Sequence, residues 1–119
     1  MLIDKSAWVR GGAALVEYGD LCMCAITRLE ILHSARSPSD FATLEDDLTA
    51  YRDLRIDHAT MSSAEAGQRE LAARRQHRIP LPDLIIGACA QQHGADVVHV
   101  DRHFDVLAET FGFRNIRLH

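Results

Sequence analysis

Ile79-Pro80-Leu81-Pro82-Asp83-Leu84-Ile85-Ile86-Gly87-Ala88-Cys89-Ala90, followed eleven residues later by Asp101-Arg102-His103-Phe104-Asp105, is the stretch that decides the fold. Pro82 suits the first position of a helix, where no backbone N–H is needed, and Asp83 then falls in the first turn, near the positive end of the helix dipole. The residues behind it are apolar on nearly every face, so this helix is expected to be buried. Asp83 is left as a single charge at the lip of a core element. Val97-Val98-His99-Val100 reads as a short buried strand, and Asp101 lies just past its C-terminal end. In open parallel sheets that is the edge where ligands bind.

Working toward the N-terminus, Ser62-Ser63-Ala64-Glu65 caps a helix that carries Arg69, Arg74, Arg75 and Arg78, and Arg55-Ile56-Asp57 is a candidate strand. Ser37-Pro38-Ser39-Asp40 starts another helix, with Phe41, Leu44, Leu48 and Tyr51 at helical spacing. Thr27-Arg28-Leu29-Glu30 has the spacing of a capping box and opens a helix running to about Ala35. Before it, Leu21 to Ile26 reads as an apolar strand. Met1-Leu2-Ile3 is a strand ending at Asp4; Ser6 to Arg10 begins a helix that Gly11-Gly12 interrupts and Ala13 to Tyr18 resumes. In the other direction, a helix from Asp101 places Phe104, Leu107, Ala108 and Phe111 on one face, and Asn115 to Leu118 closes as a strand. Strands that alternate with helices, several of them apolar throughout, predict a three-layer α/β domain with a mainly parallel central sheet.

A chain of 119 residues with 47% apolar content is expected to form one domain over 1–119, with a real core. A formal net charge of −4 excludes a blanket attraction to nucleic acid or membrane, so a polyanion would need a local patch. Arg69, Arg74, Arg75 and Arg78 are candidates for gripping an RNA backbone, although Glu65 and Glu70 interleave with them as on an ordinary solvated face. Cys22, Cys24 and Cys89 have no zinc-type spacing and read as small core residues in a reducing compartment. With no basic leader and no apolar run near the length of a membrane span, a cytoplasmic protein is expected.

Four acidic residues share a placement. Asp4 ends the first strand, Glu30 lies in the first turn of the helix after the second, Asp83 begins the buried helix and Asp101 follows a late strand. Each has a plainer account alone: a polar strand end, a capping-box glutamate, a dipole partner worth about 0.3–1 kcal/mol, an N-cap worth about 1 kcal/mol. None of these explains why all four fall where a parallel sheet can bring them to one edge. Two like charges about 4 Å apart repel by roughly 4 kcal/mol near a protein surface, so such a cluster needs a cation or protons to hold it. Oxygen donors of this kind suit hard divalent ions such as Mg²⁺ or Mn²⁺. His99 and His103 straddle a strand and a helix start and read as a strand histidine and a surface histidine rather than a zinc pair; Trp8 and Tyr51 read as core.

Met1-Leu2-Ile3-Asp4-Lys5-Ser6-Ala7-Trp8, Thr27-Arg28-Leu29-Glu30-Ile31-Leu32, Pro82-Asp83-Leu84-Ile85-Ile86-Gly87-Ala88 and Val100-Asp101-Arg102-His103-Phe104-Asp105 together resemble the PIN-domain ribonucleases, nearest the VapC toxins of toxin–antitoxin pairs. The four blocks stand in the family's order and span nearly the whole chain. The resemblance implies a three-layer α/β/α PIN-like fold, Mg²⁺-dependent endoribonuclease activity on tRNA or rRNA, a homodimer, and inhibition by a VapB-type antitoxin. It implies that Asp4, Glu30, Asp83 and Asp101 form the catalytic, metal-holding site. It also makes Ser6 a support for Asp4 and Asp105 a further acidic position; the glycine-broken segment from Gly11 to Tyr18 is short for the family. Two alternatives stand beside it. A phosphoacceptor receiver domain has similar length, but wants an acidic pair after its first strand and a lysine near the C-terminus, whereas Lys5 is the only lysine. A non-catalytic PIN-like binding module would have no need of four intact carboxylates.

Overall fold

Apolar side chains at successive positions of very short strands give the sheet two apolar faces, each covered by a layer of helices. The computed structural model describes residues 1–11, 21–76, 78–99 and 101–117. In chain order these form β1 (Leu2–Ile3), α1 (Lys5–Gly11), β2 (Cys22–Cys24), α2 (Ala25–His33), α3 (Pro38–Leu48) and β3 (Arg52–Leu54). They continue with α4 (His58–Ala73), α5 (Leu81–His93), β4 (Val97–His99), α6 (His103–Phe111) and β5 (Asn115–Arg117). The helix expected over Ala13 to Tyr18, and the last residues of the two late strands, Val100 and Leu118, lie outside the described residues.

The five strands are parallel, in the order β3-β2-β1-β4-β5. Leu2 pairs with Cys22 on one side and Val97 on the other, and Ile3 pairs with Val98. The chain therefore builds outward from β1 in one direction and then returns to add β4 on the other side. The switch point between β1 and β4 opens a crevice at the C-terminal ends of these two strands.

Because successive strand residues face opposite ways, Leu2, Cys24 and Val97 join α4, α5 and α6 in one core, with Leu71, Leu84, Leu107 and Phe111. Ile3 and Val98 pack with Ala7 and Trp8 of α1, while Met23 packs with Ile31 and Leu48 of α2 and α3. Trp8 and Tyr51 fill both of these smaller clusters, as core residues should. Cys22, Cys24 and Cys89 are buried free thiols. Where α4, α5 and α6 meet, the Phe111 ring sits against Gly67 and Gly87; a Cβ at Gly67 would overlap its Cζ and Cε1.

Several local expectations give way to stronger signals. The strand expected over Leu21 to Ile26 stops at Cys24, and α2 starts at Ala25, so the Thr27–Glu30 capping box does not form. Thr27 is buried instead, its hydroxyl 3.7 Å from Cys24 Sγ. The strand expected at Arg55-Ile56-Asp57 lies earlier, at Arg52–Leu54, because Asp57 caps α4. Asp57 accepts from the Thr60 N–H while the Thr60 hydroxyl accepts from the Asp57 N–H, a reciprocal box that starts the helix before Ser62. α4 also ends at Ala73, so Arg74, Arg75 and Arg78 lie beyond it rather than on its face.

Candidate metal centre

Asp4 follows β1 directly and is buried. Its backbone N–H donates to Val98 O at 3.0 Å, continuing the ladder, and its carbonyl accepts from the Ala7 and Trp8 N–H groups as α1 begins. Oδ2 of the side chain accepts from the Ser6 N–H at 3.0 Å and from Ser6 Oγ at 2.5 Å. The carboxylate is thereby fixed at the first turn of α1, on the edge where β1 ends.

Asp83 sits in the first turn of α5, which begins at Leu81, one residue before the expected Pro82. The aspartate is only 8% exposed. Burial, then the charge of Asp4, push its carboxyl up to about 6; the His103 hydrogen bond opposes this and Asp101 adds to it. Those causes place Asp83 in the field of two other carboxylates.

Glu30 is in the middle of α2 rather than in its first turn, since the helix starts early. It is half-buried, and its Oε1 is buried without a hydrogen-bond partner among the described residues. Burial first, then Asp4 and Asp83, raise its carboxyl above the usual range, against the pull of Lys5. A half-buried carboxylate in the field of two others is the arrangement a cation relieves.

Asp101 lies between β4 and α6. Its Oδ1 accepts from the His103 N–H at 3.0 Å, so it shapes the turn into α6. His103 was expected to be a surface histidine, but its ring turns inward. Nδ1 lies 3.1 Å from Asp83 Oδ2 and 3.2 Å from Asp101 Oδ1. The ligand atoms of Asp83, Asp101 and His103 all lie within 4.8 Å of one another. The sequence signal for this was the two-residue step from Asp101 to His103 across a helix start. His99 faces the other way: it is fully buried, its ring centroid 5.2 Å from that of Phe104.

The structure thus brings Asp83, Asp101 and His103 within ligand distance of one another, and Asp4 and Glu30 share their field: Asp4 raises both Asp83 and Glu30, and Asp83 raises Glu30. Asp105 is exposed in the first turn of α6, outside the Asp83–Asp101–His103 group. Arg69 is exposed on α4, and Arg75 and Arg78 are exposed beyond it. Arg74 is engaged within the fold, its Nη2 2.9 Å from Glu109 Oε2. The donor set, crowded carboxylate oxygens with one of them orphaned, fits a divalent cation. No helix among the described residues is long and apolar enough to cross a membrane.

Comparison with known proteins agrees with this geometry. Residues 1–110 match the PIN domain model. The chain is 41% identical over 114 residues to Ribonuclease VapC17 of Mycobacterium tuberculosis, covering 90% of this chain and 86% of that one. It is 34% identical over 110 residues to Ribonuclease VapC51 of the same organism, covering 92% and 80%. Among solved structures it is similar to DNA-bound VapBC from Salmonella typhimurium, with a TM-score of 0.82, 19% identity, and 98% and 96% of the two chains covered. VapBC-5 from Mycobacterium tuberculosis is similar too, with a TM-score of 0.78, 19% identity, and 98% and 97% covered. The receiver-domain alternative falls with this match. The carboxylates gathered at the β1–β4 edge are those of a chain that belongs to the PIN-domain family, in the group of the VapC ribonucleases.

Proposed function

We propose that residues 1–119 form a single PIN domain that acts as the Mg²⁺-dependent endoribonuclease toxin of a VapBC-type pair. In this reading Asp4, Glu30, Asp83 and Asp101 hold the ion, and Mn²⁺ can substitute for it. The observation that carries the reading is the mutual crowding of these groups: burial and neighbouring carboxylates raise both Asp83 and Glu30 above their usual range.

A divalent ion held there supplies Lewis acidity and charge neutralisation for hydrolysis of an RNA phosphodiester. The protein's own part is to position the donors. Asp4 is fixed by the two Ser6 hydrogen bonds, and Asp83 by its helix start and by His103. Glu30 Oε1 is buried with no hydrogen-bond partner among the described residues, and a bound cation would satisfy it. Exposed Arg69, Arg75 and Arg78 could meet an RNA backbone, whereas Arg74 is committed to Glu109. Asp105 would act as an outer acidic residue at the rim.

The similarity to VapBC assemblies supports a VapB-type antitoxin as partner, and the similarity to VapC ribonucleases supports RNA as substrate; a homodimer and tRNA or rRNA as the RNA class are what the family resemblance implies. The reading also places the protein in the cytoplasm, where those RNAs are. The test is cleavage of total RNA by purified protein with Mg²⁺, with EDTA, and by an Asp83→Asn variant. Cutting that needs Mg²⁺ and disappears in the variant is expected. No cutting of tRNA or rRNA with any divalent ion would overturn the enzymatic reading in favour of a binding module.

A further inference from the structure

His103 brings a nitrogen donor into a pocket otherwise built of carboxylates. Neighbouring ligands of one octahedral ion, with bonds of about 2.1 Å, stand about 3 Å apart. The distances from His103 Nδ1 to Asp83 Oδ2 and Asp101 Oδ1, 3.1 Å and 3.2 Å, match two such edges. The whole group spans no more than 4.8 Å, so a small inward movement of the carboxylates would bring all three donors into one coordination sphere. The ring is held in place from both sides. The backbone N–H of His103 donates to Asp101 Oδ1 at 3.0 Å, and Phe104, the next residue, is anchored in the core.

Resting on the metal-site reading above, we infer that His103 Nδ1 is a direct ligand of the divalent ion and tilts the site toward Mn²⁺ over Mg²⁺. Without an ion, Nδ1–H donates to the two carboxylates. On ligation the neutral ring turns its Nδ1 lone pair to the ion and carries its proton on Nε2, on a side chain 39% exposed to solvent. Mg²⁺ prefers oxygen and gives up water reluctantly, whereas imidazole suits the transition ions, and affinity for a nitrogen-containing site rises along that series. One nitrogen among three or four oxygens therefore changes which ion is held without changing the charge of the site.

The decisive measurement is pulsed electron paramagnetic resonance of the wild-type protein loaded with Mn²⁺. A directly coordinated nitrogen is expected, and its signal should vanish in His103→Gln while Mn²⁺ still binds through oxygen. Calorimetric titration should show Mn²⁺ preferred over Mg²⁺ by about tenfold or more in the wild type, and by several-fold less in His103→Gln. Mn²⁺ bound through oxygen alone in the wild type, or a nitrogen signal that survives His103→Gln, would overturn the inference and leave the carboxylate site standing. No saturable Mn²⁺ binding, or binding undiminished in Asp83→Asn, would bring down the site reading and this inference together.

Discussion

Ser6 places two donors on a single oxygen of Asp4: its N–H at 3.0 Å and its hydroxyl at 2.5 Å from Oδ2. The serine lies two residues beyond the aspartate, so the turn into α1 itself builds the contact. Ser6→Ala keeps the backbone donor and loses the hydroxyl. Partners that orient a metal ligand typically matter by about 10- to 100-fold in metal affinity or activity. RNA cleavage and Mg²⁺ affinity are expected to fall within that range, with thermal stability changed little, and Ser6→Thr should restore most of the loss. Full activity in Ser6→Ala would show that the backbone bond alone positions Asp4.

Asp83 links charge crowding to stability. Its carboxyl titrates near 6 in the folded chain against an ordinary value of 3.8. Folding therefore favours the protonated form. The cost of ionising Asp83 is absent below about pH 4, grows as pH rises, and is complete above about pH 6, reaching at most about 3 kcal/mol. In EDTA, the wild type should lose stability across that window, and Asp83→Asn should melt several degrees higher at pH 7.5. Millimolar Mg²⁺ should raise the wild-type melting temperature and leave that of the variant nearly unchanged. A variant that melts lower than wild type in EDTA at pH 7.5 would refute the crowding.

The sheet edge was legible in the sequence because each of its signals is local. Pro82 and Asp83 mark a helix start, a valine-rich four-residue run marks β4, and aspartates directly follow two of the strands. Glu30 stands in the middle of α2, not in the first turn that its spacing from Thr27 predicts. Capping-box spacing is satisfied by many sequences, and here Cys24 turns the chain into α2 too early for Thr27 to act as the cap. His103 was missed because its direction depends on how Asp101 shapes the turn, which no periodicity records. Arg74 looked available because its partner, Glu109, is 35 residues away in sequence. Side-chain pairings across the fold are where one-dimensional patterns run out.

His99 carries a hidden cost. It is fully buried in β4, and neither ring nitrogen has a hydrogen-bond partner among the described residues. Leaving a buried polar group unsatisfied costs about 1–3 kcal/mol. His99→Leu keeps an apolar side chain of similar bulk against Phe104 and is expected to raise the urea midpoint with an unchanged slope. A lower midpoint would show that the ring is satisfied in solution.

Gly67 and Phe111 form a notch and a wedge between α4 and α6. Phe111 is 4% exposed, and its Cδ2 would also lie 3.0 Å from a Cβ at Gly87, so the ring has little room to move aside. On an open helix Gly→Ala gains about 0.5–1 kcal/mol. At Gly67 the new methyl meets the ring, and overpacking a filled core costs about 1–3 kcal/mol. Gly67→Ala should therefore destabilise by about 1 kcal/mol, reversing the usual sign. The cause can be isolated by a double-mutant cycle. In a Phe111→Leu background the obstacle is smaller, and the same Gly67→Ala change should become neutral or stabilising. If it cost the same in both backgrounds, Phe111 would not be what requires a glycine at that point of α4.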